Sequence, residues 1–401
     1  MGKPCILINI HYLEIGGAET ALIGLLQAFD PKRLDVDLFL NDHRGEMMAY
    51  IPGWVNVLPP CEAYTMIERP IKMVIKAGYI HIAFARLWAK IRFWLYARKK
   101  HTIDGSAIFG YVGKYVTPLL PSLKHLGEYD LAISFVTPHN IVLDKVQAKK
   151  KICWIHTDYT NIDVNTSLEL PIWRGYDYIV SISKEVTKKF CQTFPTLHNK
   201  IIEIENILSP KFIRQQADIE SPPSDMHKVE HGYTLLTIGR YCAAKKLEEI
   251  PIICRMLTEK GLSIKWYIIG YGGSDEYIRK VIVEESMEKN VILLGKRANP
   301  YPYIKACDWY IQPSRYEGKS VVVREAQILG KPVIITDYPT STSQIQNGID
   351  GIIVPMDVDK CAEAMAVALT DERQKKSIFD YLATHDYGNK SEVEKIYSLV
   401  S

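Results

Sequence analysis

Short apolar runs that close on a glycine or a polar turn, each followed by a helical pattern, recur along most of this chain. That alternation is the strongest constraint on its fold. Cys5–Ile10 reads as a buried strand, runs into a loop with Gly16 and Gly17, and is followed by a helical stretch over 18–29 and a second strand over 36–40. Strand, glycine turn, helix, strand is the opening of a βαβ unit. Further strands are expected at 131–135, 151–156 and 178–183. The tract 209–231 lacks apolar periodicity, contains Ser221-Pro222-Pro223-Ser224, and reads as a connection between domains. The pattern then restarts, with strands at Tyr233–Ile238, 262–269, 291–294, Trp309–Gln312 and 332–336. Two doubly wound parallel α/β sheets follow from this order. The length of 401 residues agrees, because single cores rarely grow past about 250–300 residues.

The bulk composition excludes more than it selects. Apolar residues make up 47% and the net charge is +3, so nothing points to nucleic acid. The eight cysteines form no CxxC pair, which argues against a zinc site and reads as reduced, buried thiols. The first apolar run is short and is followed by His11 and Glu14, so it reads as a strand rather than a leader. No apolar stretch is long enough for a transmembrane helix. One segment departs from the average. Residues 69–100 carry nine Lys or Arg and no Asp or Glu, with Ile80, Phe84, Leu87, Trp88, Ile91, Trp94 and Leu95 at helical spacing and Arg86 and Lys90 on the opposite face. Such a helix either lies on an anionic membrane surface or buries its apolar face in the core.

The densest chemistry lies in Ser314-Arg315-Tyr316-Glu317-Gly318-Lys319-Ser320-Val321, continuing to Glu325. Glu317 is expected in a loop at a strand's carboxyl end, Ser320 as an N-cap, and Glu325 in the second helical turn. Free amides from Gly318 to Val321 would suit a phosphate or sugar hydroxyls. A carboxylate accepts paired hydrogen bonds from a diol, so one glutamate fits a ribose and the other a hexose. Taken alone, the motif reads equally as a capped helix with two surface carboxylates. Gly239-Arg240, at the end of another strand, is followed by Lys245 and Lys246, cations that could neutralise a diphosphate. His156 stands at a strand end, where a lone histidine is more often structural than a sugar contact. Gly270-Tyr271-Gly272-Gly273 lacks the final glycine of a dinucleotide fingerprint. The pair Asp35 and Asp37 opens a strand and reads as an exposed face, not a metal site.

Taken together, Gly239-Arg240, Lys245, Gly270-Tyr271-Gly272, Gly295, Asp308, Ser314, Glu317-Gly318, Glu325-Ala326, Gly330-Lys331-Pro332 and Thr336-Asp337 resemble the family 4 retaining glycosyltransferases of the GT-B fold, over about residues 233–357. The N-terminal half shares only Gly16-Gly17-Ala18-Glu19 and His156 with that family. The resemblance implies two Rossmann-like domains facing across a cleft: an acceptor-side domain over 1–208, a nucleotide-sugar domain over 209–383, and a helix over 384–401 returning to the first. It implies Arg240 and Lys245 on the donor diphosphate and Glu325 on the ribose. Glu317 would lie by the donor sugar, with Gly318, Lys319, Ser320 and Val321 lining sugar and phosphate. Arg297 would stand near the base, Gly239, Gly16 and Gly17 would allow close backbone approach, and His156 would lie near the sugar. No cofactor or metal is implied. The co-substrate would be a nucleotide-diphosphate sugar, with UDP favoured, and the acceptor a saccharide, with a lipid-linked one suited by the basic segment. The setting would be cytoplasmic, peripheral to the inner face of the cell membrane, in surface polysaccharide assembly. Two departures bear on donor identity: Gln344 stands where the family has a glutamate, and Lys319 where it has an aromatic residue. A nucleotide-sugar epimerase and a non-catalytic binding subunit are the competing readings.

Overall fold

The computed structural model describes residues 2–100, 102, 105–160, 162–219 and 223–400. The chain forms two units: one runs to Ile207 and takes back the chain from Lys390, and the other spans Leu208–Asn389. Ser221 and Pro222, in the tract read as a connection, lie outside the described residues. That tract is not irregular throughout, because Ser209 accepts from the Phe212 amide at 3.3 Å and starts the helix Pro210–Ala217.

The first unit holds strands β1 (Cys5–Ile10), β2 (Asp35–Leu40), β3 (Asn56–Val57), β4 (Glu128–Ser134), β5 (Gln147–Ile155), β6 (Tyr178–Ser181) and β7 (Ile201–Glu203). They form one parallel sheet in the order β3-β2-β1-β4-β5-β6-β7. The second unit holds β8 (Tyr233–Ile238), β9 (Ile264–Ile269), β10 (Val291–Gly295), β11 (Trp309–Gln312), β12 (Val333–Thr336) and β13 (Ile352–Val354), ordered β10-β9-β8-β11-β12-β13 and again parallel. Both sheets reverse strand order beside their first strand, the doubly wound arrangement. Helices cover both faces, so central strands bury consecutive residues rather than alternate ones. Ile6, Leu7 and Ile8 are all fully buried.

The carboxylates of Asp35 and Asp37 are committed within the first unit. Asp35 pairs with Lys3 at 2.5 Å, while Asp37 accepts from Asn56 at 2.7 Å and from the Tyr129 hydroxyl at 2.6 Å. The final helix, Val393–Val400, packs on this unit. The Asp30 amide donates to the Tyr397 hydroxyl at 2.7 Å, and Arg33 pairs with Glu394. Tyr387 belongs to the second unit, with its hydroxyl 3.1 Å from Asp350 and its ring under Arg324.

The basic segment forms two helices, Ile71–Lys76 and Ile80–Lys100. The second does not bury its apolar stripe. Its packed face is Ile82, Ala83 and Ala89 together with Arg86, which donates to the carbonyls of Met66 and Arg69. Phe84, Leu87, Trp88, Ile91, Trp94 and Leu95 point outward, with Phe84 at 68% and Trp94 at 53% exposure. Arg98 stacks over the Trp94 ring at 4.6 Å.

The rejected glycine cluster has a structural task. Gly270 (φ 155°) and Gly272 (φ 154°) follow β9 and press against the segment after β8. A Cβ at Gly270 would lie 1.9 Å from the Gly239 carbonyl oxygen, and one at Gly272 would lie 2.5 Å from that of Tyr241. Gly270→Ala is therefore expected to destabilise the second unit by about 3 kcal/mol. A thermal melt unchanged from wild type would show that the two loops yield freely.

Candidate active site

In an open parallel sheet, ligands bind beyond the carboxyl ends of the strands at the point where strand order reverses. In the second unit that point lies between β8 and β11. The segment after β8 carries Gly239, Arg240 and Lys245, and the one after β11 carries Ser314 to Ser320. The two segments are tied together. The Arg315 amide donates to the Ala244 carbonyl at 2.8 Å, and the Arg315 guanidinium reaches Glu248 at 2.7 Å and Glu249 at 3.2 Å.

Glu317 is the hub. Its Oε1 accepts from Lys245 Nζ at 2.5 Å, from Gln312 Nε2 at 2.9 Å and from Ser314 Oγ at 2.6 Å. The Thr340 hydroxyl holds its carbonyl at 2.9 Å. Lys245 reaches the carboxylate by lying across Gly239, where an added Cβ would stand 3.3 Å from the lysine stem. Gln312 is fixed in turn by the Tyr310 hydroxyl, which donates to its Oε1 at 2.5 Å. An ammonium has three donors, so Lys245 keeps capacity for an anionic ligand while bound to Glu317. Arg240 is exposed at the end of β8.

Lys246 is not part of this site. It is buried, in a left-handed conformation (φ 56°), paired with Glu249 at 2.5 Å and bonded to the Met356 carbonyl. The amides before the helix Val321–Ile328 are also less open than expected. Ser320 stands at the N-cap but makes no side-chain cap. Its amide donates to Gln344 Oε1 at 3.1 Å, while Gln344 Nε2 donates to its carbonyl. Gln344 also accepts from Tyr338 at 3.0 Å. Gln344 thus pairs like a peptide group with the loop. Gly318, Lys319 and Val321 complete the loop and are each partly exposed.

Glu325 sits one helical turn further in, 2% exposed, with the Tyr301 hydroxyl donating to its Oε1 at 2.9 Å. Burial pushes its carboxyl up to about 7, against the smaller opposing effect of Tyr301. Two glutamates eight residues apart therefore live in opposite environments, one saturated with donors and the other nearly dry. Arg297, after β10, directs its side chain to Asp225 at 2.5 Å and to the Tyr303 hydroxyl at 2.9 Å, leaving the role expected near a base to its backbone. Sequence reading did not foresee Tyr301, Gln312 or Tyr338. Each is an ordinary buried residue by pattern, and only the fold brings it to the site.

The remaining expected residues lie in the first unit. Gly16 caps the helix Gly17–Ala28 in an extended conformation (φ −167°), and nothing lies within 4 Å of a Cβ built on Gly17. His156 follows β5, its ring 4.7 Å from Phe135 and stacked with Trp154 at 6.3 Å. Its Nε2 is buried without a hydrogen-bond partner among the described residues, and burial lowers its pKa to about 4, so the ring is neutral near pH 7.

These units have the architecture of GT-B glycosyltransferases. The solved structure of HepE from Anabaena in complex with UDP superposes with a TM-score of 0.64, covering 98% of each chain at 13% identity. Residues 221–383, nearly all of the second unit, match the family described as glycosyl transferases group 1. An uncharacterized glycosyltransferase of Methanocaldococcus jannaschii is 26% identical over 171 residues; the match spans 42% of each chain, under half of that relative's length. The N-acetylgalactosamine-N,N'-diacetylbacillosaminyl-diphospho-undecaprenol 4-alpha-N-acetylgalactosaminyltransferase of Campylobacter jejuni is 24% identical over 377 residues, 92% of this chain and 91% of that one.

The raised Glu325 pKa has a consequence for stability. A carboxyl whose folded pKa (about 7) exceeds its ordinary value of 4.5 gives the folded state an advantage that is complete below pH 4.5 and is lost as pH rises through about 7. The ligand-free wild type should therefore lose stability relative to Glu325→Gln between pH 5 and pH 8. Parallel melting curves for the two proteins across that range would contradict the burial of this carboxyl.

Proposed function

We propose that this protein is a retaining glycosyltransferase that moves a hexose-type sugar from a UDP-sugar to a lipid-linked saccharide acceptor in surface polysaccharide assembly. The observation that carries this reading is the cation–carboxylate cluster of Lys245, Glu317, Gln312 and Ser314 at the switch point of the second sheet, with Arg240 and Glu325 flanking it. UDP in the HepE complex and the undecaprenol-linked substrate named for the Campylobacter relative support the choice of donor and acceptor.

Glycosyl transfer builds positive charge at the anomeric carbon and negative charge on the departing diphosphate. Arg240 and Lys245 stabilise the leaving group as its charge grows, which lowers the barrier more than it tightens ground-state binding. These cations supply the charge that a metal would otherwise bring. Glu325, beside Tyr301, receives the ribose hydroxyls. The acceptor hydroxyl attacks from the face the diphosphate leaves, and the leaving phosphate takes its proton, so configuration is retained. Glu317 positions rather than attacks: its Oε1 already accepts three hydrogen bonds, which lower its nucleophilicity. His156, neutral, serves as a hydrogen-bonding group toward the sugar.

No helix among the described residues is long and apolar enough to cross a membrane. The outward stripe of helix Ile80–Lys100, flanked by Lys90, Arg92 and Lys99, suits contact with the inner face of an anionic bilayer, with each cation near the surface adding about 1 kcal/mol. Vesicles containing phosphatidylglycerol should co-sediment with the protein and lose it on Trp88→Gln/Trp94→Gln substitution. Binding indifferent to anionic lipid would remove the membrane from this proposal.

The central test is binding and hydrolysis of a panel of nucleotide sugars, with Arg240→Ala and Glu325→Ala as controls. One donor should raise the melting temperature of wild type, with affinity falling at least about tenfold in either variant. No donor binding, or variants equal to wild type, would point to a non-catalytic subunit. A covalent glycosyl adduct on Glu317 would overturn the positioning role.

A further inference from the structure

The first unit contains a cavity of about 360 Å³ that the donor site does not use. It opens beyond the carboxyl ends of β4 and β5, between the helices Ile108–Val116 and Thr166–Arg174. Its volume lies within the range of small-molecule sites, roughly 300–1,000 Å³. Gly110 and Lys114 line one side, and Gly113 between them lets their helix approach the β4 loop closely, since a Cβ there would meet Asn140 Oδ1 at 2.2 Å and Pro138 at 2.9 Å.

The lining combines depth with directed polarity. His139 is 3% exposed at the base, bonded through Nδ1 to Ser134 Oγ at 2.8 Å, while its Nε2 has no partner among the described residues. Glu169 accepts from Trp173 Nε1 at 3.4 Å and also from the Tyr159 hydroxyl, which fixes its carboxyl in the wall. Asp163 holds the Gly105 amide at 2.7 Å at the mouth. Phe109 exposes 49% of its surface at the rim.

The charge pattern selects the ligand class. Among the described residues the lining sets Asp144 and Asp163, with Glu169 raised to about 7 by burial, against one cation, Lys114, so a phosphate or diphosphate gains no net attraction. An apolar ring at the mouth and hydrogen-bonding groups deeper in match a pyranose, which offers a C–H face and equatorial hydroxyls.

We infer that this cavity is a binding pocket for one uncharged sugar ring of the acceptor, stacked on Phe109 and hydrogen-bonded by Glu169, Asp163 and the free nitrogen of His139. Its acceptor role rests on the transferase reading above. The pocket recognises the sugar end of the acceptor and leaves any phosphate-bearing part to be bound elsewhere.

Saturation-transfer NMR on the full chain, with free glucose, galactose, N-acetylglucosamine and N-acetylgalactosamine as probes, tests this directly. At least one sugar should give transfer signals with wild type. Phe109→Ala should raise its Kd about tenfold, the loss of one stacking contact. Ser167→Trp, at an exposed rim position, should abolish the signals by filling the mouth. Both variants should melt like wild type and keep UDP binding. Absence of signals with every sugar, or signals that survive both substitutions, overturns the pocket while leaving the donor reading standing. Failure of the wild type to bind UDP sinks the donor reading instead, and the saccharide signals still decide the pocket.

Discussion

Parallel strands force the chain to return across the sheet after each strand, so every loop that follows a strand emerges on one edge. Where successive crossovers take opposite faces, the loops diverge and leave a gap. In the second unit the gap falls between β8 and β11, and it determines which residues meet. Lys245 and Glu317 are 72 positions apart in sequence yet bonded. Buried bonds fix the strands around it: the Thr237 hydroxyl on β8 donates to the Ile311 carbonyl on β11 at 2.8 Å, and the Thr336 hydroxyl on β12 to that of Ser314 at 2.6 Å.

That framework lets one short stretch of chain supply two carboxyl groups with different chemistry. Glu317 lies in the loop among an ammonium, an amide and a hydroxyl, which stabilise its charge. Glu325, packed in the helix, has one hydroxyl partner and little water, which favours its protonated form. The difference comes from position rather than residue type, because a loop exposes its side chains to converging polar groups while a packed helix face does not. The peptide-like pairing of Gln344 with Ser320 keeps the intervening loop in place without adding a charge between the two.

Much of this was readable from the residues. β8 and β11 fall where the apolar runs place them, because both are short, central and bounded by turn residues. β5 begins four residues earlier than its apolar run, since its first residues lie at the sheet's end where Gln147 and Lys149 are exposed. The edge strands β3, β7 and β13 span two or three residues each and leave too little pattern to detect. The glutamate motif and the cations were legible as residue types with spacing. What was not legible was commitment: Lys246 resembles Lys245 in sequence, and only the fold shows one bonded into the second unit's interior. Helix Ile80–Lys100 is where the sequence left two orientations open. Apolar spacing cannot say which way a stripe faces, and here the small Ala83 and Ala89 make the close-packed side.

The chain completes its first unit with its last residues. Phe29, Asp30 and Arg33 find their partners on Tyr397 and Glu394, and Lys150 donates to the Leu399 carbonyl at 2.8 Å. During synthesis the N-terminal sheet therefore waits, with that patch uncovered, until the whole second unit has left the ribosome. A cut after Ile207 would leave the two units joined through the packed terminal helix, and a cut before Lys390 would leave them joined by the remaining backbone.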